Sequence, residues 1–223
     1  MNPRECALEV HRRLIEEYGE PSWRNPLPIL DELISTILSQ NTNDLNRDRA
    51  FNQLKMRFDR WEKVRDADVN GVIEAIRSAG LANQKGPRIQ KILREITAER
   101  GSLDLSFLRD LPEDEAWDWL KKFNGVGPKT ASIVLLFSLG KPAFPVDTHI
   151  QRVTGRIGLR PEKMNNEKAH RFLAELFPPK TYKAVHLNII RLGREVCHPN
   201  RPACEICVLQ SLCDYFQRSQ NRL

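Results

Sequence analysis

The chain has no run of about 18 apolar residues, so no segment of it reads as a membrane-spanning helix. Residues 1–20 are charged throughout and do not form a secretory leader, which leads us to expect a cytoplasmic location and no membrane partner. No fixed-period repeat or low-complexity stretch occurs, which excludes solenoid and tail-like architectures, and only the segment after Phe216 reads as a frayed end. Cysteine is too scarce for a disulfide framework: five thiols in 223 residues, without an export signal, point to a metal site. Acidic residues are in deficit, 29 against 35 basic ones, and the net charge of +6 with a pI near 9.2 suggests an anionic partner. An excess of this size is compatible with many functions.

What the chain does contain is helical periodicity. Leu30, Leu33, Ile34, Ile37 and Leu38 form one stripe at helical spacing, and Ile89, Ile92, Leu93 and Ile96 form another. Further helices are predicted over about 44–58, 68–79, 113–122, 128–139, 148–157, 166–177 and 181–192, with Gly80, Gly101, Gly140, Gly158 and Gly193 at their ends. The apolar run Ile133–Phe137 would suit a buried strand, but Pro128 before it and Gly140 after it favour a buried helix. The expected class is therefore all-α. Pro26 and Pro28, then Pro142 and Pro145, mark boundaries between two lobes: 29–141, and 1–28 joined to 142–223.

Two features carry chemistry. The first is the turn Asn124-Gly125-Val126-Gly127-Pro128 followed by Lys129. Gly125 and Gly127 permit positive φ and close backbone approach, so N–H groups around Val126 can converge on a phosphate at the start of the next helix. A helix over 128–139 rises roughly 18 Å, and an extended return over 140–146 spans up to roughly 23 Å, so the chain can bring Asp147 back beside Lys129. Taken singly, Lys129 reads as a surface lysine and Asp147 as the cap of the helix that starts at Thr148. The second feature is the spacing C-x6-C-x2-C-x5-C formed by Cys197, Cys204, Cys207 and Cys213. Four thiolates in so short a segment suit a [4Fe-4S] cluster, with tetrahedral zinc as the alternative; only Cys204 and Cys207 are paired as closely as zinc knuckles usually are. His198 reads as a bystander and Cys6 as a packed thiol. Arg201 crests the stiff loop between the first two cysteines, either as a phosphate contact or as a solvated arginine.

Phe123-Asn124-Gly125-Val126-Gly127-Pro128-Lys129-Thr130-Ala131, then Val146-Asp147-Thr148-His149, then the four-cysteine spacing, resemble the endonuclease III family of DNA glycosylases over nearly the whole chain. The resemblance implies two helical lobes with a helix-hairpin-helix, a central helical-barrel lobe and a second lobe bearing a [4Fe-4S] loop. It implies a monomer acting on double-stranded DNA with a damaged base or abasic site, associated with the nucleoid. By that resemblance Lys129 is the nucleophile and Asp147 assists it, in a bifunctional glycosylase and abasic-site lyase for oxidised pyrimidines. His149 matches the motif but reads as a structural hydrogen-bond partner.

Base flipping requires a side chain to fill the vacated stack. Leu81, in Gly80-Leu81-Ala82-Asn83-Gln84-Lys85, matches the family's apolar wedge. Asn41 stands where the family has glutamine, and Gln40 could substitute after a small shift; both also read as helix-capping amides. Asn124 replaces a usual proline, and Pro128 replaces a usual basic residue, removing one phosphate-facing charge. Two further readings stay open: a same-fold enzyme for mismatched uracil or thymine, or for oxidised purines, and a non-catalytic DNA-binding clamp with a structural metal.

Overall fold

The computed structural model describes residues 1–22 and 26–220, and among these it contains twelve α-helices and no strand. The all-α expectation holds. The chain divides into two compact units, Pro26–Gly140 and a discontinuous one made of Met1–Asn25 with Lys141–Leu223.

The middle unit holds α2 (Ile29–Leu38), α3 (Asp44–Arg57), α4 (Trp61–Asp66), α5 (Val69–Ala75), α6 (Ala82–Arg100), α7 (Glu113–Lys121) and α8 (Pro128–Ile133). Its centre is α2. Ile29, Leu30, Leu33, Ile34, Ile37 and Leu38 are all buried, and the helix packs against α3, α6 and α8. Each such side chain contributes about 1.5–3 kcal/mol on burial, so packing rather than capping holds α2, whose N-terminal flank Pro28 makes no side-chain cap. The second expected stripe likewise buries Ile89, Ile92, Leu93 and Ile96 along α6.

The other unit holds α1 (Pro3–Tyr18), α9 (Thr148–Ile157), α10 (Asn166–Leu176), α11 (Tyr182–Glu195) and α12 (Asp214–Gln220). Here α11 packs against α9 and α1. Local signals start several of these helices: Asn2 and Glu5 form a reciprocal capping box on α1, and the Asn165 side chain accepts from Lys168 N–H on α10 at 2.8 Å.

The structure differs from expectation in several places. The helix α1 was not anticipated, because its apolar face is only Ala7, Val10 and Leu14 amid a charged segment. The predicted helix 68–79 ends at Ala75 and continues as a 3₁₀ turn, Arg77–Ala79. The predicted helix 128–139 becomes α8 followed by a π-helical segment, Val134–Ser138, fully buried, with Ser138 Oγ donating to Leu27 O at 2.8 Å. Gly193 does not end a helix but lies inside α11, where a Cβ would come within 2.8 Å of His149 Nδ1. Its function is close packing. The end expected to fray after Phe216 is helical to Gln220, and the residues beyond lie outside those described.

Candidate active site and metal centre

In the middle unit the glycine turn is closed by Val126 N–H donating to Phe123 O at 3.0 Å, and the Val126 side chain is buried. Val126 therefore shapes the turn from inside, and its N–H is paired within the hairpin. Gly125 has φ +89°, and a Cβ there would lie 2.4 Å from Arg88 Cδ, so the position requires glycine for both its backbone and its neighbour. Gly127 is extended and precedes Pro128 at the first turn of α8, which carries half-buried Lys129 one residue further on.

Gln40 is tied to this turn. Its Nε2 donates to Gly125 O at 3.0 Å and its Oε1 accepts from Arg88 Nη1 at 3.2 Å. The amide braces the hairpin. Its neighbour Asn41 is exposed, with φ +54°. Leu81 is 48% exposed, with φ +49°. Among the described residues the only other non-glycine with positive φ is Arg201, at +50° and exposed. A non-glycine side chain in this region is strained, and such strain concentrates where a side chain must be presented. All three were singled out from sequence as DNA contacts.

Sequence reasoning missed the residue behind Asn41 and Leu81. Lys85, in the first turn of α6, is 1% exposed, and its Nζ donates to Leu38 O at 2.8 Å, Gln40 O at 2.6 Å and Ala79 O at 2.8 Å. No carboxylate among the described residues pairs with it. Burial, then the nearby Arg88 guanidinium, push the ammonium down to about 8, while the carbonyl dipoles favour its charged form. The three acceptors lie at the C-terminal ends of α2 and of the 3₁₀ turn, where helices leave carbonyls unpaired and cations are favoured. A lysine at a helix start carries no local signal of this role.

In the other unit Asp147 caps α9, its Oδ1 accepting from Ile150 N–H at 2.8 Å. The capping alternative is thus realised, and a carboxylate retains a second oxygen for other work. The approach to Asp147 is held by two buried histidines: His170 Nδ1 lies 2.9 Å from Phe144 O, and His186 Nδ1 lies 3.0 Å from Pro145 O. His149 lies 3.0 Å from Arg152 Nη2 through Nδ1, and burial holds its imidazole below the usual histidine range, so it sits as a neutral acceptor in packing.

The cysteine loop is stitched to α9 by arginines. Arg152 donates through Nε to Cys197 O at 2.8 Å and through Nη2 to Gly193 O at 2.8 Å. Arg156 donates to His198 O at 2.6 Å, to Pro199 O at 2.8 Å and to Cys197 Sγ at 3.3 Å, with Tyr215 stacked on its guanidinium. Cys197, Cys204, Cys207 and Cys213 line a single small cavity of about 20 Å³ with Arg156, Tyr215 and Phe216. Burial pushes the Cys204 and Cys213 thiols up and Cys207 to about 11, and the neighbouring cysteines act in the same direction. Among the described residues no group of three His, Cys, Asp or Glu side chains is placed to hold a metal ion. His198 contributes its backbone carbonyl to Arg156. Cys6, half-buried at the far end of the chain, has its thiol raised mainly by burial.

Residues 34–179 match the HhH-GPD superfamily of base excision DNA repair proteins. The chain belongs to that family. Within it the chain is similar to an endonuclease III of Thermotoga maritima, 30% identical over 214 residues that cover 96% of this chain and 93% of that one. It spans about half the length of an Arabidopsis thaliana relative that is 41% identical over 150 residues, and 12% of the Arabidopsis DNA glycosylase/AP lyase ROS1, 34% identical over 173 residues. Among solved structures it resembles an endonuclease III trapped as a covalent intermediate with DNA, with a TM-score of 0.80 and 26% identity, covering 99% of each chain. The HhH-GPD match spans both the glycine hairpin with Lys129 and the Asp147 cap. No described helix of this family member is long and apolar enough to cross a membrane.

Proposed function

We propose that the chain is a bifunctional DNA N-glycosylase and abasic-site lyase of base excision repair, acting as a monomer on oxidised pyrimidines in duplex DNA. The observation that carries this reading is a half-buried lysine one residue into the helix that follows a glycine hairpin, in a chain similar to one trapped covalently on DNA. An amine can attack and then form an imine, which a hydroxyl or water nucleophile cannot.

In this reading the neutral Lys129 Nζ attacks C1′ of a flipped nucleotide and the C1′–N bond breaks, the base leaving with the electron pair and taking up a proton. Loss of a proton from the attacking nitrogen and opening of the C1′–O4′ bond produce a protonated imine. Removal of a 2′ proton then expels the 3′ phosphate, and water finally hydrolyses the imine to restore the lysine. Asp147 accepts the proton or offsets positive charge on the sugar as the glycosidic bond breaks. Gly125 and Gly127 shape the backbone that faces the phosphate, Arg201 makes a further phosphate contact, and Asn41 and Leu81 enter the stack.

Cys197, Cys204, Cys207 and Cys213 would hold a [4Fe-4S] cluster, which supplies a rigid cross-link for the loop that carries Arg201. Four thiols line one cavity, and their C-x6-C-x2-C-x5-C spacing suits a cluster better than zinc, whose ligands usually come as two close pairs. Visible absorbance and a brown colour in the purified protein support iron and sulfide; a colourless, zinc-loaded protein overturns that assignment.

Borohydride reduction tests the central claim. Wild-type protein mixed with a duplex carrying one abasic site should become permanently cross-linked, and Lys129→Met should not. If Lys129→Met nicks that duplex as fast as wild type, the lysine reading is wrong. A panel of duplexes with single defined lesions, including mismatched uracil and oxidised purines, then assigns the excised base.

A further inference from the structure

Asn41 and Leu81 lie on separate loops, one after α2 and one before α6, and must be presented together if both are to occupy space in a base stack. Neither loop contains a cysteine or a proline. What they share is one buried ammonium. Lys85 Nζ binds the carbonyl of Gln40, immediately before Asn41, and that of Ala79, two residues before Leu81, while its third proton goes to Leu38 at the end of α2. Three protons meet three acceptors at 2.6–2.8 Å, so the group is fully used and its position is determined by all three. Ser78 Oγ adds a weaker tie, at 3.3 Å, from the second loop to Asn46 O of α3.

We propose that Lys85 is a positioning residue for base extrusion: it holds the Asn41 and Leu81 loops in register, so that both strained residues project as one unit into the duplex. The inference rests on the glycosylase reading and on Leu81 entering the stack, and it adds the residue through which that entry is organised. A packing role alone would also keep Lys85 buried, so stability cannot distinguish the two ideas. Coupling to Leu81 can.

The test is a double-mutant cycle of Lys85→Met and Leu81→Ala, read as single-turnover excision of 5,6-dihydrouracil paired with adenine in duplex DNA. It is run at a temperature where circular dichroism shows every variant folded. The same lesion in single-stranded DNA, which needs no extrusion, serves as the reference substrate. Each single variant should lose roughly 10- to 100-fold on duplex, the double variant should be within about 3-fold of Leu81→Ala, and Lys85→Met should be within about 3-fold of wild type on the single strand. Multiplicative losses in the double variant, or an equal loss on single-stranded DNA, would overturn the proposal. If Lys85→Met does not fold, Lys85→Gln, which keeps two of the three donors, takes its place in the cycle with a smaller loss on duplex and the same coupling to Leu81→Ala. A wild type that neither excises the base nor cross-links to an abasic duplex sinks the glycosylase reading itself; a wild type that does both, with an additive cycle, sinks only the role of Lys85.

Discussion

The middle unit and the cysteine-bearing unit solve one problem in two ways: each uses cations to hold loop carbonyls that no secondary structure satisfies. In the middle unit one fully buried ammonium, Lys85, serves three carbonyls. In the other unit two half-buried guanidinium groups, Arg152 and Arg156, share the carbonyls of Gly193, Cys197, His198 and Pro199. A lysine is a compact point charge whose three donors radiate from one atom, so it can gather acceptors from three directions. Arginine is a planar fork that lies along a loop. The first arrangement is compact and has one point of failure; the second is spread over two side chains, each serving its own carbonyls.

The largest test of that contrast is Lys85→Met. It should lower unfolding free energy by about 2–4 kcal/mol in urea titrations, because buried carbonyls lose their donors while the cost of burying the charge is relieved only in part. A loss below about 1 kcal/mol would show that the loops hold without it. Arg152→Ala and Arg156→Ala should each cost less, about 1–2 kcal/mol, and Arg156→Ala should raise amide exchange between Cys197 and Ala203 by roughly tenfold or more. An arginine variant that costs as much as Lys85→Met would show that spreading the contacts over two side chains gives no protection.

Smaller again is a pH effect confined to the middle unit. The Lys85 ammonium titrates at about 8 in the folded chain against 10.5 for the ordinary side chain. Between those values the unfolded chain holds a proton that the folded chain has lost, so this group's contribution to stability should rise with pH across the window. The difference in unfolding free energy between wild type and Lys85→Met, followed from pH 7 to about 10.5, should show that rise; a flat difference would refute it.

The smallest stability effect should come from Asp147. An asparagine keeps the cap on Ile150, so Asp147→Asn should cost only a few tenths of a kcal/mol while alanine costs about 1. If the carboxylate also acts in catalysis, base excision by Asp147→Asn should nevertheless fall by roughly a hundredfold or more. Equal excision rates would leave Asp147 a cap alone.

What could be read along the chain was local. The two apolar stripes of α2 and α6 are buried where their spacing placed them, because a helix aligns residues three and four apart whatever surrounds it. The glycine turn before Lys129 was legible because positive φ demands glycine, and the four cysteines because their number and spacing suit a metal cluster. The role of Gln40 was not. Its amide could as well cap a helix, fill a stack or brace the hairpin, and only the arrival of Gly125 and Arg88 selected the last.

By itself, then, the sequence determined the helical class, the turn that carries Lys129, the cap at Asp147 and the set of four thiols, each being a matter of neighbours within a few residues. Tertiary structure alone decided which side chains hold those features: Lys85 gathers a carbonyl 47 residues away, and His186 reaches one 41 residues away. The physical reason is that a backbone carbonyl left over at a helix end or loop accepts any donor brought to it. Which donor arrives is set by packing, and packing is not written in local spacing.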